Sequence, residues 1–400
     1  MIATSGNKGE TIRSDCHVKI SLDPGTGRGI QLKSKVEKMF GDSIRQLCDD
    51  IAKFYNLSNY LIEIDDYGAL PFVIAARMEA AIRALVETDK EYRVGEAVAD
   101  YSGVSESSKR RSRLYLPGND PKLMINAGIY GADAVILDLE DSVSPEKKHE
   151  ARFLVRKALQ HIDFYGAERM VRINQIPLGL ADLQYIVPYN VDTILIPKVE
   201  TPEQVHAVEK EIKKYKTDNG RKLFLMPIIE SALGVENAFK IATSSAAIVA
   251  LAIGLEDYTA DIGAQRTTEG KESFFARGRI VNAANAARIQ AIDSVYSEFR
   301  NLEELEKVGI ESKAMGFEGM GCIHPAQIKV INEVFSPGSK EIEKAKNIVL
   351  AFYKAREEGK SVVAVGSKMV DPPVVKRALK VIEDAIASNK LTKDWRAQNE

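Results

Sequence analysis

The chain has 400 residues, of which 45% are hydrophobic and 28% charged, and its formal net charge is -2 at pH 7. This balance is typical of a globular protein of two or three domains, and it disfavours a general role in binding nucleic acid or membrane surfaces. Three scattered cysteines, a polar amino terminus and the lack of a long apolar run predict a cytoplasmic protein without a disulfide framework, zinc site or membrane span.

Residues 1–90 predict a small α+β domain. Strands are expected at residues 16–20, 29–32 and 60–64, and helices at residues 34–55 and 71–86. Ser34 and Glu37 have the spacing of a capping box, which would start the first helix at Ser34. Residues 91–109 form the predicted linker, because the pattern weakens there and residues 102–108 are rich in Ser and Gly.

Residues 110–335 alternate short apolar runs with amphipathic stretches, which predicts a TIM (β/α)8 barrel. Eight runs are counted, at residues 114–116, 134–137, 170–173, 193–196, 223–229, 248–253, 291–295 and 319–323. A doubly wound sheet is the alternative fold, but no GxGxxG follows the first run. Residues 336–400 predict a C-terminal helical extension, with helices at 339–358 and 373–387, that serves as a lid, reaches a neighbouring subunit or only packs at the edge.

Charged side chains follow most of the predicted barrel strands. Glu230 ends the fifth strand and Asp257 follows the sixth, while Arg172 lies at the end of the third. Active sites of TIM barrels lie at the C-terminal ends of the strands, so these side chains are expected on one rim. One such acid could simply cap the next helix, but convergence at several strand ends favours an anionic substrate held through a divalent cation. Oxygen ligands without paired His or Cys favour Mg²⁺.

Two residues near the eighth strand are interpreted as structural. His324 is the only histidine at a strand end, and a single histidine there is not assigned as a base. Cys322, two residues earlier, is expected to be a core thiol.

Six motifs lie between residues 110 and 371: RRSRL through PG at 110–118, LDLEDSV at 137–143, VRIN at 171–174, IES through Gly at 229–234, GLED at 254–257 and KMVD at 368–371. Together they resemble the citrate lyase β subunit within the HpcH/HpaI aldolase family. Four shorter matches, at residues 9–11, 14–15, 34–44 and 66–70, resemble the citrate lyase acyl carrier (γ) subunit. The resemblance implies a γ-like carrier domain fused to a β-like lyase domain.

The β-like resemblance implies a metal site and its surroundings. Glu230 and Asp257 would bind Mg²⁺, and Glu140 and Asp141 would hold water in its outer shell and help to bind substrate. Arg172 would grip the substrate carboxylate or the developing enolate oxygen.

Two further residues gain a role from the resemblance. Arg113 would hold a carboxylate or part of the pantetheine arm. Asp371 would be the acid/base residue that exchanges a proton with the acetyl carbon, and it would come from the C-terminal segment of a neighbouring subunit. The resemblance thus implies a homo-oligomer.

The γ-like resemblance implies that Ser14 carries a covalent phosphoribosyl-dephospho-CoA group, whose thiol holds the acyl chain. Arg13 and Pro71 depart from the carrier pattern, which usually has acids at both positions. A flexible linker near residue 103 would raise the effective concentration of the acyl group at the barrel.

The resulting hypothesis is an Mg²⁺-dependent carbon–carbon lyase. It would cleave a citryl- or citramalyl-carrier to an acetyl-carrier plus oxaloacetate or pyruvate, together with a citrate lyase α-type acyltransferase partner. A free-CoA lyase acting on malyl- or citramalyl-CoA, with an unmodified first domain, is the second hypothesis. The third is a non-catalytic carrier and assembly subunit, although a scaffold would need none of the charged residues at the strand ends.

Overall fold

The structure is a computed structural model that describes residues 1–23, 27–96, 103–216, 221–357, 363–365 and 368–396. Its first unit is a four-stranded sheet in the order β1-β2-β4-β3. The strands and helices of this unit are β1 (Ile2–Ser5), β2 (Cys16–Ser21), β3 (Arg28–Ser34), α1 (Glu37–Phe54), β4 (Tyr60–Asp66) and α2 (Pro71–Arg83). Alternate residues of β2 and β4 are buried, as expected for a sheet with one face on a core. The small α+β fold is confirmed.

Two local predictions in this unit need correction. The strand β1 was not expected, because its four residues carry too little hydrophobic pattern to stand out. The predicted capping box is wrong: α1 begins at Glu37, and Ser34 ends β3. The Ser34 hydroxyl donates a hydrogen bond to Asp66 at 2.6 Å and accepts one from the Val36 N–H at 3.1 Å, so it closes a strand rather than capping a helix.

Eight parallel strands close into a barrel, which confirms the predicted TIM fold. They are β5 (Ser112–Pro117), β6 (Ala134–Asp138), β7 (Glu168–Arg172), β8 (Thr193–Ile196), β9 (Phe224–Ile229), β10 (Ala250–Ile253), β11 (Gln290–Asp293) and β12 (Gly319–Cys322). Most of their residues are buried because side chains point alternately into the barrel and toward the helices. Each predicted strand overlaps an observed one.

The helices between and after these strands cover the outside of the barrel. They are α3 (Pro121–Ile125), α4 (Lys148–His161), α5 (Leu183–Ile186), α6 (Pro202–Tyr215), α7 (Ala232–Ala242), α8 (Leu255–Asp261), α9 (Phe274–Ala287), α10 (Leu302–Met315) and α11 (Pro325–Val334). Proline at the first helical position starts α6 and α11, and a capping box precedes each of these two helices.

The C-terminal extension packs against the N-terminal end of the barrel. It contains α12 (Ser339–Glu357), a two-stranded hairpin of β13 (Val363–Val365) and β14 (Lys368–Val370), and α13 (Pro372–Ala387). Asp384 forms an ion pair with Lys109, and Lys380 lies 3.4 Å from Glu318. Because Lys109 and Glu318 precede β5 and β12, α13 lies at the end of the barrel opposite the predicted active-site rim.

The first domain is docked on the barrel. Helix α2 packs between its own sheet and α4, and the apolar core of the barrel continues onto α2 through Phe72 and Val73. This arrangement differs from the flexible tethering that the Ser/Gly-rich segment predicted. Residues 97–102 of the predicted linker lie outside the described residues, and the domain boundaries themselves stay predictions.

Within the described ranges, every helix is too short or too polar to cross a lipid bilayer.

Candidate active site

A cavity of about 420 Å³ opens at the C-terminal ends of the barrel strands. We call it the rim pocket, and its walls come from β5, β6, β7, β9, β10 and the segments that follow β11 and β12. Five predicted site residues line it: Arg113, Asp141, Arg172, Glu230 and Asp257. The expected convergence of charged residues on one rim is therefore observed.

Arg172 is held by an acid that the sequence interpretation did not assign to the site. Its Nε and Nη2 lie 2.7 Å from the two oxygens of Asp138, which is a bidentate pair, and its guanidinium stacks over Tyr115 at 5.3 Å. Burial alone would raise the pKa of Asp138, but hydrogen bonding and charge from Arg172 hold it below its ordinary value. Nη1 faces Glu140, 2.8 Å away. All three nitrogens of the guanidinium therefore lie beside carboxylates, which fix its position in the rim pocket.

Asp138 also orders the acidic loop that follows β6. It accepts the backbone N–H groups of Glu140 at 3.0 Å and Ser142 at 3.1 Å. The Glu140 side chain in turn accepts a hydrogen bond from Gln175 at 2.9 Å. The position of the two acids in this loop is therefore fixed by the same residue that orients Arg172.

Glu230 directly follows β9 and is a buried carboxylate with one hydrogen bond among the described residues. It is 7% exposed and accepts the backbone N–H of Lys198 at 2.8 Å. Gly254 packs so closely that a Cβ at this position would overlap Glu230 Oε1, which explains the glycine. Burial raises the pKa of Glu230 to about 7, and repulsion from Glu140 and Asp257 adds to the effect. In the described part of the chain, no cationic side chain pairs with this carboxylate.

The acids of the rim pocket fit a divalent cation that takes few protein ligands. Burial also raises the pKa of Glu140, despite the nearby Arg172, so a cation would relieve the cost of holding both glutamates ionised. Asp257 lies in the first turn of α8, and its Oδ1 is 2.9 Å from Lys198 Nζ. Lys198 therefore competes with a cation for the Oδ1 side of Asp257.

Among the described residues, no three His, Cys, Asp or Glu side chains come close enough together to enclose a metal ion. Mg²⁺ typically uses one or two carboxylates and completes its shell with water and substrate oxygens. The donor set of the rim pocket suits that mode of binding.

Arg113 brings an uncompensated positive charge to the floor of the rim pocket. It is 1% exposed, its Nη1 lies 3.1 Å from the Met226 sulfur, and its Nε has no hydrogen-bond partner within the described residues. Burial lowers its pKa, and the described residues offer no carboxylate in ion-pair range. A buried guanidinium without a counter-ion is costly, so this site favours an anionic ligand.

The other predicted site residues lie elsewhere. Asp371 caps α13 and accepts the Val374 N–H at 3.1 Å, and it is absent from the described walls of the rim pocket. Ser14 is half-buried in the loop before β2, with φ at 57° and its N–H donated to the Tyr67 carbonyl at 3.0 Å. Neither residue joins the rim pocket of its own chain.

His324 and Cys322 have structural surroundings. His324 caps α11 through its Nδ1, which accepts the Ala326 N–H at 3.1 Å, and its ring stacks on Phe299. Cys322 is fully buried, and burial raises the pKa of its thiol to about 12. These surroundings agree with the interpretation of both as structural residues.

The sequence interpretation gave no role to three residues that shape the rim pocket. Asp138 was in the LDLEDSV motif, and its alternation with Glu140 along one strand end was a usable signal. Tyr115 lies beneath Arg172, and Lys198 pairs with Asp257. Lys198 follows the strand β8, which places it on the rim, but the contacts of Lys198 and Tyr115 join different strands and do not follow from sequence spacing.

Two family models match different parts of this chain. Residues 111–325 match the family model of HpcH/HpaI aldolase/citrate lyase, and residues 6–85 match an acyl-carrier model described as malonate decarboxylase delta subunit (MdcD).

Relatives and a solved structure resemble the β-like part. Citrate lyase subunit beta of Leuconostoc mesenteroides subsp. cremoris is 39% identical over 285 residues, covering 70% of this chain and 94% of its own. Mitochondrial citramalyl-CoA lyase of Homo sapiens is 36% identical over 286 residues, covering 67% and 83%. The crystal structure of CitE from Mycobacterium tuberculosis with magnesium, acetoacetate and coenzyme A has a TM-score of 0.59 and 27% identity, covering 70% of this chain and 99% of that one.

Proposed function

Because the chain belongs to the HpcH/HpaI aldolase/citrate lyase family and is a carbon–carbon lyase, we propose that it cleaves a citryl or citramalyl thioester carried on its own first domain. The products are an acetyl thioester and oxaloacetate or pyruvate. The observation that carries this proposal is the pairing, in one pocket, of an uncompensated buried cation, Arg113, with a buried acid of raised pKa, Glu230. Such a pocket is suited to a substrate that brings its own carboxylate and shares a divalent cation.

The cofactor in this proposal is Mg²⁺. Glu230 and Asp257 would hold it, with Glu140 and Asp141 contacting its water shell. When bound, the ion would lower the pKa of the substrate hydroxyl and orient the departing keto acid. Support comes from the raised pKa values of Glu230 and Glu140 and from the solved relative, which is in complex with magnesium.

Three side chains would then take part in substrate binding, cleavage and proton transfer. Arg113 binds a substrate carboxylate. The hydroxyl proton passes to solvent, and the resulting alkoxide becomes the keto group as the bond between the hydroxylated carbon and the α-carbon of the thioester breaks. The electron pair of that broken bond forms an enolate. Arg172, held in place by Asp138, keeps a fixed positive charge beside the enolate oxygen without reorganising. Asp371 gives a proton to the enolate carbon, which yields the acetyl thioester.

Asp371 would act on a neighbouring subunit. Helix α13, which it caps, lies against the N-terminal end of its own barrel, while the rim pocket is at the other end. A homo-oligomer in which the extension of one subunit reaches the rim of the next would bring the two together. Cytoplasmic location and an α-type acyltransferase partner stay predictions.

The carrier part of the proposal concerns Ser14. The match of residues 6–85 to an acyl-carrier model supports a phosphoribosyl-dephospho-CoA group on this residue. Intact-mass measurement after co-expression with the modifying enzymes tests it, with Ser14→Ala as the control. An unmodified Ser14 would favour the second candidate, a free-CoA lyase, for which the similarity to citramalyl-CoA lyase is the specific support.

Keto-acid release tests the activity itself. Purified protein with Mg²⁺ is offered citryl-CoA, citramalyl-CoA and the corresponding carrier-bound thioesters, and oxaloacetate or pyruvate is followed through a coupled dehydrogenase. We expect release that is lost in Glu230→Gln and kept in Glu236→Gln, which changes an exposed acid on α7. Absence of keto acid from all four substrates would contradict the proposed function and favour the non-catalytic assembly subunit.

A further inference from the structure

Helix α2 has two buried faces that belong to different domains. One face joins the apolar core of the barrel through Phe72, Val73, Ala76 and Ala80. The other face joins the core of the first domain through Ile74, Ala75, Met78, Ala81 and Ile82. A helix with apolar residues on two faces must be covered on both sides. Without the barrel, the first of these faces would be exposed to water.

Arg77 lies in the middle of this interface and connects both domains. It is completely buried, and all five of its N–H donors are used. Nε and Nη2 donate to the two oxygens of Asp15 at 3.0 and 2.9 Å. Nη1 donates to Glu150 Oε1 and to Asn119 Oδ1, both at 3.3 Å, and Nη2 also donates to the Asn119 carbonyl at 3.0 Å. The guanidinium therefore fixes Asp15, the residue after Ser14, to two residues of the barrel.

Other polar contacts hold the same loop region in place. Glu150 accepts the Gly6 N–H at 2.9 Å, and Lys147 donates to the Gly6 carbonyl at 2.9 Å. Asn7 donates both to Asp15 at 2.9 Å and to the Asn119 carbonyl at 3.1 Å. Burial would raise the pKa of Glu150, but the charge of Arg77 and these hydrogen bonds keep it below its ordinary value.

The docking site lies at the catalytic end of the barrel. Asn119 comes two residues after the end of β5, and Glu150 is in the first turn of α4, which follows β6. The neighbouring Gly118 donates its N–H to the Asp138 carbonyl at 2.7 Å, and Asp138 grips Arg172 in the rim pocket. A short series of direct contacts thus runs from the loop of Ser14 to the residue that would face the reacting thioester.

We propose that the first domain is a fixed carrier, docked on α4, in which Arg77 is the positioning residue that holds the Ser14–Asp15 loop at the barrel rim. This inference rests on the proposed function, since it concerns how a group on Ser14 reaches the rim pocket. The prosthetic arm alone would move, whereas the domain would stay in place during cleavage.

Hydrogen exchange tests the docking independently of activity. Arg77→Lys keeps the positive charge but loses the forked guanidinium that makes the paired hydrogen bonds. Glu150→Gln removes the negative charge on the barrel side. The matched control is Arg45→Lys, because Arg45 pairs with Glu37 on an exposed face of the first domain. Arg77→Lys loses at least two of the five hydrogen bonds, and Glu150→Gln loses a charged acceptor. Amide exchange in α2 should therefore be roughly tenfold or more faster in both interface variants, and not in the control. Equal exchange in all three variants would overturn the inference.

A cross-link tests whether the docked state is the working state. Asn7→Cys and Asn119→Cys place thiols on the two sides of the interface, and a short bismaleimide joins them; the three native cysteines are buried. We expect the joined protein to release keto acid from the carrier-bound thioester, in a single turnover, within about threefold of the unjoined one. A loss of more than about tenfold would mean that the domain must swing, which contradicts the inference.

The ratio of two rates separates positioning from general stability. Misplacing a reacting group costs up to about 100-fold, so Arg77→Lys should slow cleavage of the carrier-bound thioester by roughly tenfold and leave cleavage of the CoA thioester unchanged. In Arg77→Lys, the cross-link should return the slowed cleavage of the carrier-bound thioester to the rate of the native protein. Equal slowing of both substrates would make Arg77 merely structural. If the native protein cleaves neither substrate, the proposed function fails, and hydrogen exchange still decides the docking.

Discussion

Replacing Glu230 by Gln should change the pH dependence of stability in metal-free protein. Glu230 is 7% exposed, and burial raises its pKa from the ordinary value of 4.5 to about 7. Between these two pH values the native state holds a proton that the unfolded state has lost. Stability from this group is therefore complete below about pH 4.5 and is lost as the pH rises through 7.

The size of the effect follows from the displacement of the pKa. A change from 4.5 to about 7 corresponds to about 3 kcal/mol. Gln keeps an acceptor for the Lys198 N–H, 2.8 Å away, but it carries no charge at any pH. The free energy of unfolding of Glu230→Gln, compared with that of the native protein, should thus rise by about 3 kcal/mol as the pH increases from about 4.5 to 8.

Urea unfolding in the presence of a chelator, at a series of pH values, measures this difference. Glu236→Gln, an exposed acid, is the control and should show no such trend. Adding Mg²⁺ at about 100 times its Kd should stabilise the native protein by about 2.7 kcal/mol and leave Glu230→Gln unchanged. A stability difference that stays constant with pH would refute the assignment of Glu230 as a buried, cation-seeking acid.

Three further changes have expected outcomes. Arg113→Met removes an uncompensated buried charge, so urea unfolding should show a free energy of unfolding that is higher by about 1 kcal/mol or more. The same change should lower kcat/KM for the anionic substrate at least tenfold, measured by keto-acid release. Phe72→Ala should cost about 3–5 kcal/mol in urea unfolding, because Phe72 is 6% exposed between the domains, while the exposed Phe40→Ala should cost under about 0.5 kcal/mol. Inactive Asp371→Asn and Glu230→Gln subunits, unfolded and refolded together, should regain about a quarter of the native activity, whereas mixing without subunit exchange should regain none.

The fold was predictable wherever one strand or helix carries its own pattern. The run that ends in Glu230 is apolar throughout, and the observed strand β9 is buried throughout. Helix α6 likewise starts where its own sequence marks a start, at Pro202 and a capping box. The start of α1 was misjudged because Ser34 has two hydrogen-bond options, and its tertiary partner Asp66 lies far away in the sequence. Local sequence patterns do not show a hydrogen bond to a residue so distant in the chain.

The residues that belong to the candidate site were predictable, but the ion pairs that they form with one another were not. Strand-end positions gave Arg172, Glu230 and Asp257, since a barrel brings all its strand ends to one rim. Which acid Arg172 meets depends on the register of β6 against β7, which places Asp138 directly beside it. The ion pair between Lys198 and Asp257 likewise depends on the paths of two loops. Neither the strand register nor the paths of the loops can be read from the periodicity of the sequence.

The composition of α2 held information about function that a single-helix interpretation overlooks. An amphipathic helix covering one small sheet needs one apolar face, yet residues 72–82 are all buried, and they include the charged Arg77 and Glu79. Buried ions need partners, and each of these two has one in the barrel: Glu150 for Arg77 and Arg156 for Glu79. A flexibly tethered carrier would have to expose this helix face and break these pairs at each excursion. The cost of such an excursion favours a carrier domain that stays docked while its arm delivers the thioester to the rim pocket.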